Sequence, residues 1–165
     1  MTVDMRSFLQ QIKKTNDVFT VKKRVSKKYE IAAVTEKLDG SKAALFENVQ
    51  GSKFKLVSNL VGTRDRFAQA IGAKRSDINQ KIVKAISSAK KPKISKTAKF
   101  FENNSKDISI LPIVTHFQNE SGPFITSSIL YTRNQEKKSQ NSSIHRLMPI
   151  GKNHFSIRMV AGRDL

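Results

Sequence analysis

The chain has 165 residues, and its 31 lysines and arginines against 13 aspartates and glutamates give a formal net charge of +18. That length suits one domain, or one domain and part of a second, and the 38% hydrophobic content suffices for a core. The absence of cysteine excludes disulfides and thiolate chemistry. No apolar run reaches the ~18 residues of a membrane span, and the first residues do not resemble a secretory signal. We therefore expect a cytoplasmic protein.

Helical and strand patterns alternate over the first two thirds of the chain. Apolar residues at three- and four-residue steps predict helices, and β-branched runs predict strands. We predict helices over residues 5–14 and 29–38, a third between a Thr63 N-cap and Gly72, and a fourth after a Ser76 N-cap. We predict strands over residues 18–25, 43–46 and 54–61. The alternation indicates an α/β or α+β domain in this part of the chain.

A basic linker at about residues 89–107 is followed by a different composition. Residues 108–117, 123–131, 142–149 and 154–160 are rich in β-branched residues and lack helical periodicity, with a hairpin turn at 151–153. The chain as a whole is therefore predicted to be α+β, with a run of strands over residues 108–165.

The positive charge is densest in two clusters that precede this run of strands. They comprise Lys22, Lys23, Arg24, Lys27 and Lys28, and Lys90, Lys91, Lys93, Lys96 and Lys99. Such charge attracts polyanions: nucleic acid, an anionic membrane surface or phosphorylated small molecules. Neither cluster is interleaved with aromatic residues, and no zinc-finger or RRM signature is present. A nucleic-acid partner stays open but is not favoured, and a solvated basic surface is the alternative.

Familiar catalytic and metal-binding motifs are missing. The spacing of His116, His145 and His154 fits neither a zinc protease nor a zinc finger. The seven glycines form no dinucleotide or phosphate loop, and no Gly-x-Ser-x-Gly elbow is present.

The predicted strand around residues 141–146 is the most informative segment for chemistry. Its period of two places Asn141, Ser143 and His145 on one face and Ser142, Ile144 and Arg146 on the other. We expect Arg146, which lies beside apolar residues, to be at least partly buried. A buried guanidinium requires an anion, which an ordinary Arg–Glu pair, a carboxylic substrate or a phosphate can supply.

Seven segments in this order resemble the N-terminal part of the UbiD family of prenylated-FMN-dependent decarboxylases. They are Met5-Arg6-Ser7-Phe8-Leu9, residues 29–33, residues 44–51, residues 57–64, Leu111-Pro112-Ile113, Gly122-Pro123-Phe124-Ile125-Thr126, and the Asn-x-x-x-x-Arg pattern of residues 141–146. Residues 145–148 resemble archaeal members, some of which are thought to decarboxylate a phosphorylated mevalonate-derived acid.

The resemblance implies a fold and a set of roles. Residues 1–107 would be an N-terminal α/β domain, and residues 108–165 would be the first strands of a flavin-reductase-like split β-barrel that binds prenylated FMN. Asn141 would help to coordinate Mn²⁺, with K⁺ as a further ion that the resemblance allows. Ser143, Ile144 and His145 would line the cofactor, and Arg146 would be the catalytic arginine beside the flavin and the substrate carboxylate.

Two departures from the family qualify these roles. Asp164 occupies the place of a metal-binding histidine in many members, and an aspartate also suits manganese. Family members are more than twice this length, and their catalytic glutamates lie beyond Leu165. We therefore expect an N-terminal portion or small subunit, inactive alone, that forms homo- or hetero-oligomers, completed by a second chain and acting on a small carboxylic acid. A stand-alone FMN-binding protein is the alternative.

Overall fold

A computed structural model describes residues 4–90, 95–97, 102–134, 136, 139–160 and 162. The helices are α1 (Met5–Lys14), α2 (Glu30–Lys37), α3 (Arg64–Ala70) and α4 (Ile78–Ser87). The strands are β1 (Val18–Val21), β2 (Ala43–Phe46), β3 (Leu56–Ser58), β4 (Ile125–Asn134), β5 (Ser139–Ile150) and β6 (His154–Ile157). The predicted mixture of helices and strands is confirmed, and the strands form two small sheets.

The first sheet has the order β1-β2-β3 and holds the larger core. β1 and β2 are parallel and joined through α2, and β3 pairs antiparallel with β2. Every residue of the central strand β2 is buried, which explains its unbroken apolar sequence. Phe46 packs there with Ile31 and Val49.

The opening helix matches its prediction because two local signals agree. Asp4 accepts hydrogen bonds from the backbone N–H groups of Arg6 and Ser7, both at 2.8 Å, and Ser7 completes a capping box. Phe8 and Ile12 then lie on one face, buried with Ala43.

Other boundaries differ from the predictions for physical reasons. β1 ends at Val21, where the exposed basic cluster begins. Ser76 does not cap a helix: its hydroxyl bonds to Asp77, and a 3₁₀ turn over Arg75–Asp77 leads into α4.

The predicted strand over residues 108–117 is wrong. A 3₁₀ turn covers Ile108–Ile110, and only isolated bridges follow, at Val114 and Thr115. Pro112 has no N–H to donate to a ladder. Thr115 forms its bridge with Lys28, which lies between β1 and α2.

This segment joins the two sheets, and we call residues 110–115 the connector. The Ser52 hydroxyl donates to the carbonyl of Ile110 at 2.8 Å, and Val114 is buried in the core of the first sheet. The backbone N–H of Phe124 donates to the Val114 carbonyl at 3.0 Å, directly before β4.

The second sheet is antiparallel, with the order β4-β5-β6. Its last two strands enclose the predicted turn at residues 151–153. In the described part of the chain, no helix has both the length and the apolar character needed to cross a bilayer.

Candidate functional site

The predicted site residues lie along β5, the central strand of the second sheet. Asn141, Ser143 and His145 are half-buried, whereas Ile144 and Arg146 are exposed. The predicted alternation of faces is thus confirmed. Ile144, which is 75% exposed, points away from Ser143 and His145, so the five residues do not share one face.

Pairing with β4 fixes the register of this strand. Asn141 lies opposite Thr132, Ser143 opposite Leu130, and the register shifts by one residue between Ile125 and Ser128. The Ser128 hydroxyl bonds to the carbonyl of His145 beside this irregularity. A β-bulge at this place re-aims the strand next to the site.

The expectation that Arg146 is partly buried is wrong, because the side chain is exposed. Its guanidinium carbon lies 4.6 Å from the centre of the Phe124 ring, within cation–π range. None of the ion pairs among the described residues includes Arg146. An ordinary Arg–Glu pair is therefore not what holds this side chain in the described part of the chain.

A turn before β4 holds Phe124 in place. The Glu120 carboxylate accepts the backbone N–H groups of His116 at 2.9 Å and Phe117 at 3.3 Å. Phe124 itself is 8% exposed. The ring beneath Arg146 is thus fixed by a buried position at the end of an ordered turn.

Arg146 lines a pocket of about 430 Å³ together with a second arginine, Arg158, which was not among the predicted site residues. The other lining residues are His145 and Val160. β6 ends at Ile157, which pairs with Leu147, so Arg158 directly follows the last paired residue of β6 and Arg146 directly precedes its partner on β5. The predicted hairpin turn at 151–153 contained this signal, because it fixes that register.

Two guanidinium groups that line one pocket repel each other and favour an anion between them. Arginine presents two parallel donors to a carboxylate or phosphate. Val160 adds an apolar wall. The pocket can hold an anionic group attached to a less polar body.

Of the two predicted metal ligands, the structure describes only Asn141. Asn141 is half-buried on the face that also carries Ser143, and Asp164 lies outside the described residues. Over the described ranges, no group of three or more His, Asp or Glu residues could hold a metal ion. The Ser143 hydroxyl is buried without a hydrogen-bond partner, which is the kind of orphaned group that a bound cofactor satisfies.

Two family models match consecutive parts of the chain. The N-terminal domain of 3-octaprenyl-4-hydroxybenzoate carboxy-lyase matches residues 9–86, and the Rift-related domain of the same carboxy-lyase matches residues 87–165.

Full-length relatives and solved structures agree with these matches. The anhydromevalonate phosphate decarboxylase of Methanosarcina mazei is 31% identical over 96% of this chain and 36% of its own length. The UbiD-class enzyme HmfF from Pelotomaculum thermopropionicum in complex with FMN has a TM-score of 0.90 at 30% identity, over 94% of this chain and 36% of that one. An evolved dimeric form of HmfF in complex with prFMN has a TM-score of 0.84 at 28% identity, over 94% of this chain and 38% of that one. The chain thus spans little more than a third of the length of each of these three proteins.

Proposed function

The chain belongs to the UbiD family of carboxy-lyases, and on that basis we propose that it supplies the N-terminal part of a cytoplasmic decarboxylase that uses prenylated FMN. The complete enzyme releases CO₂ from an unsaturated or aromatic carboxylic acid. The chain covers 36% of both the archaeal relative and the HmfF chain, which supports a role as one portion or small subunit completed by a second chain. In this proposal, residues 1–107 form the N-terminal α/β domain and residues 108–165 begin a split β-barrel.

The observation that carries the proposal is that Arg146 and Arg158 line the same pocket. A flavin nucleotide and a carboxylic substrate both bring negative charge to the site, and two guanidinium groups offset part of it. Arg146 rests on the Phe124 ring at 4.6 Å, so its donors are oriented before any ligand arrives. Orienting a reacting carboxylate in this way lowers the entropic part of the barrier.

The cofactor's place in the proposal follows from β5. Prenylated FMN, when bound, supplies the electron sink that decarboxylation needs. The unpartnered Ser143 hydroxyl fits a polar group of such a cofactor, with His145 beside it on the same face of β5. Ile144 and Arg146, which lie on the opposite face, line the cofactor in this proposal only where it reaches around the strand. Asn141 and Asp164 are the proposed Mn²⁺ ligands of this chain, and the remaining ligands, like any K⁺ site, come from outside the described residues.

The carboxylic acid that proton transfer requires in this proposal is not among the described residues of the pocket. Arginine stays protonated in proteins and cannot act as the acid, the described lining includes no carboxylate, and the proposal assigns His145 to the cofactor lining. In this proposal the acid–base glutamates therefore belong to the completing chain, and the present chain is inactive alone. Contacts between the two chains in the oligomer bring the two parts of the site together.

The test combines binding and reconstitution. We expect prenylated FMN to bind to the chain, alone or with its completing partner, and we expect Arg146→Gln and Arg158→Gln each to weaken binding. Arg133→Gln is the matched control, because Arg133 is an exposed arginine on β4 of the same sheet. Titration of flavin fluorescence measures the affinity.

Activity then separates the subunit proposal from simpler ones. CO₂ release is expected only after the chain is mixed with a partner that carries the glutamates. Activity of the isolated chain contradicts the subunit role, and FMN binding without any activity in the mixture indicates a stand-alone flavin-binding protein.

A further inference from the structure

Arg66, in the N-terminal part of the chain, is a buried cation that has no counter-ion among the described residues. It is 4% exposed and lies in α3. Its Nη1 donates to the carbonyl of Ser41 at 2.5 Å and its Nη2 to the carbonyl of Asn59 at 3.2 Å, whereas its Nε has no partner. No ion pair among the described residues includes it. The two carbonyls orient the guanidinium, but they do not neutralise its charge, and a buried charge is costly until an anion compensates it.

Arg66 lines a cleft of about 740 Å³ that two further arginines also line. We call it the arginine cleft, and its charged lining residues are Arg64, Arg66, Arg75, Asp17 and Asp65. Asp65 is bound to Arg75 at 3.0 Å, and the Asp17 carboxylate accepts the Thr15 hydroxyl at 2.6 Å. Three arginines against two aspartates leave one positive charge in excess, on a chain that is itself strongly basic.

The loop beside Arg66 leaves little room for a larger residue. A Cβ on Gly62 would lie 3.2 Å from both the Cβ and the carbonyl oxygen of Asn59, which is tight, and 3.5 Å from Nη2 of Arg66, which is an ordinary contact. Glycine at this position therefore lets the loop pack against Asn59, whose carbonyl accepts a hydrogen bond from Arg66.

We propose that the arginine cleft binds a small phosphate-bearing anion, at a site separate from the pocket on the second sheet. Phosphate is the chemistry that a fork of guanidinium donors matches bidentately. The cleft's volume falls within the ~300–1,000 Å³ of small-molecule sites, so a phosphorylated metabolite fits as well as the free ion. This assignment does not depend on the decarboxylase proposal.

The test is a titration of the whole chain with inorganic phosphate, glycerol 3-phosphate and acetate, with ionic strength held constant by chloride. Calorimetry measures the affinity, and the NMR signal of the Arg66 Nε–H reports contact with the buried group. We expect saturable binding of both phosphates and not of acetate, and a loss of about tenfold in affinity for Arg64→Gln. Lys23→Gln, which removes one exposed charge outside the cleft, is the matched control and leaves the affinity within about twofold.

The outcomes divide cleanly. Binding of inorganic phosphate alone supports the site with the free ion as its ligand, and tighter binding of glycerol 3-phosphate supports a phosphorylated metabolite. An equal loss in Lys23→Gln and Arg64→Gln means that diffuse charge attracts the anion and overturns the proposal. Absence of saturable phosphate binding, or binding that leaves the Arg66 signal unmoved, also overturns it.

Discussion

The contact between Arg146 and Phe124 can be measured without any cofactor or substrate. The perturbations are Phe124→Leu, which removes the aromatic face but keeps an apolar side chain, and Arg146→Met, which keeps a long stem but removes the charge. A double-mutant cycle of these two changes isolates their interaction, because the packing cost of each single change cancels.

The structure sets the expected magnitude. The guanidinium carbon is 4.6 Å from the ring centre, inside the ~6 Å range of a cation–π contact. Since Arg146 is exposed, the value belongs to the exposed end of the scale, and we expect a coupling free energy of about 0.5–1 kcal/mol.

Urea unfolding followed by far-ultraviolet circular dichroism is the assay, since the chain has no tryptophan to report by fluorescence. The control cycle pairs Phe124→Leu with Arg133→Met, for which we expect additive changes. A coupling below about 0.3 kcal/mol in the Arg146 cycle, which is what independent sites show, refutes the view that the ring orients this arginine.

Three further predictions concern stability. The hydrogen bond from the backbone N–H of Ser7 is the main cause that lowers the pKa of Asp4 below its ordinary value of 3.8. The charged cap therefore stabilises the fold above that pH, and the stabilisation is lost as the pH falls through the lowered pKa. Asp4→Asn should cap α1 without this acid dependence, and an unchanged pH profile of thermal unfolding in the variant contradicts the charged cap. Ile12→Val removes one methylene from a fully buried side chain and should cost about 1 kcal/mol in urea unfolding, with no loss expected from the same kind of change at the exposed Ile86. Gly72 has φ +65° with open space around a Cβ, so Gly72→Ala should cost about 1–2 kcal/mol from backbone strain alone, and a neutral result means that the helix end rearranges.

The sequence predicts best where local signals decide the outcome. The α1 boundaries follow from an amphipathic repeat and an aspartate cap, and the faces of β5 follow from strict alternation. The predicted strand over residues 108–117 was wrong because β-branched composition does not show whether a partner strand is present. Burial is equally hidden: nothing in the sequence distinguishes Arg66, which is buried, from Arg64, which is exposed.

Arg158 occupies a middle position between these cases. Its position close to Arg146 follows from the hairpin register once the turn at residues 151–153 is fixed. The sequence pattern predicted that turn, but the register itself, in which Leu147 pairs with Ile157, is seen only in the structure.

The connector has a consequence for how the molecule unfolds. Val114 is part of the core of the first sheet, while its carbonyl holds the N–H of Phe124, the ring on which Arg146 rests. Loss of the first sheet therefore removes the anchor of the ring as well, so the two sheets should melt as one cooperative unit. Removal of residues 1–89 would leave the second sheet with an exposed Val114. The preorganisation of Arg146 therefore depends on residues almost a hundred positions earlier in the chain.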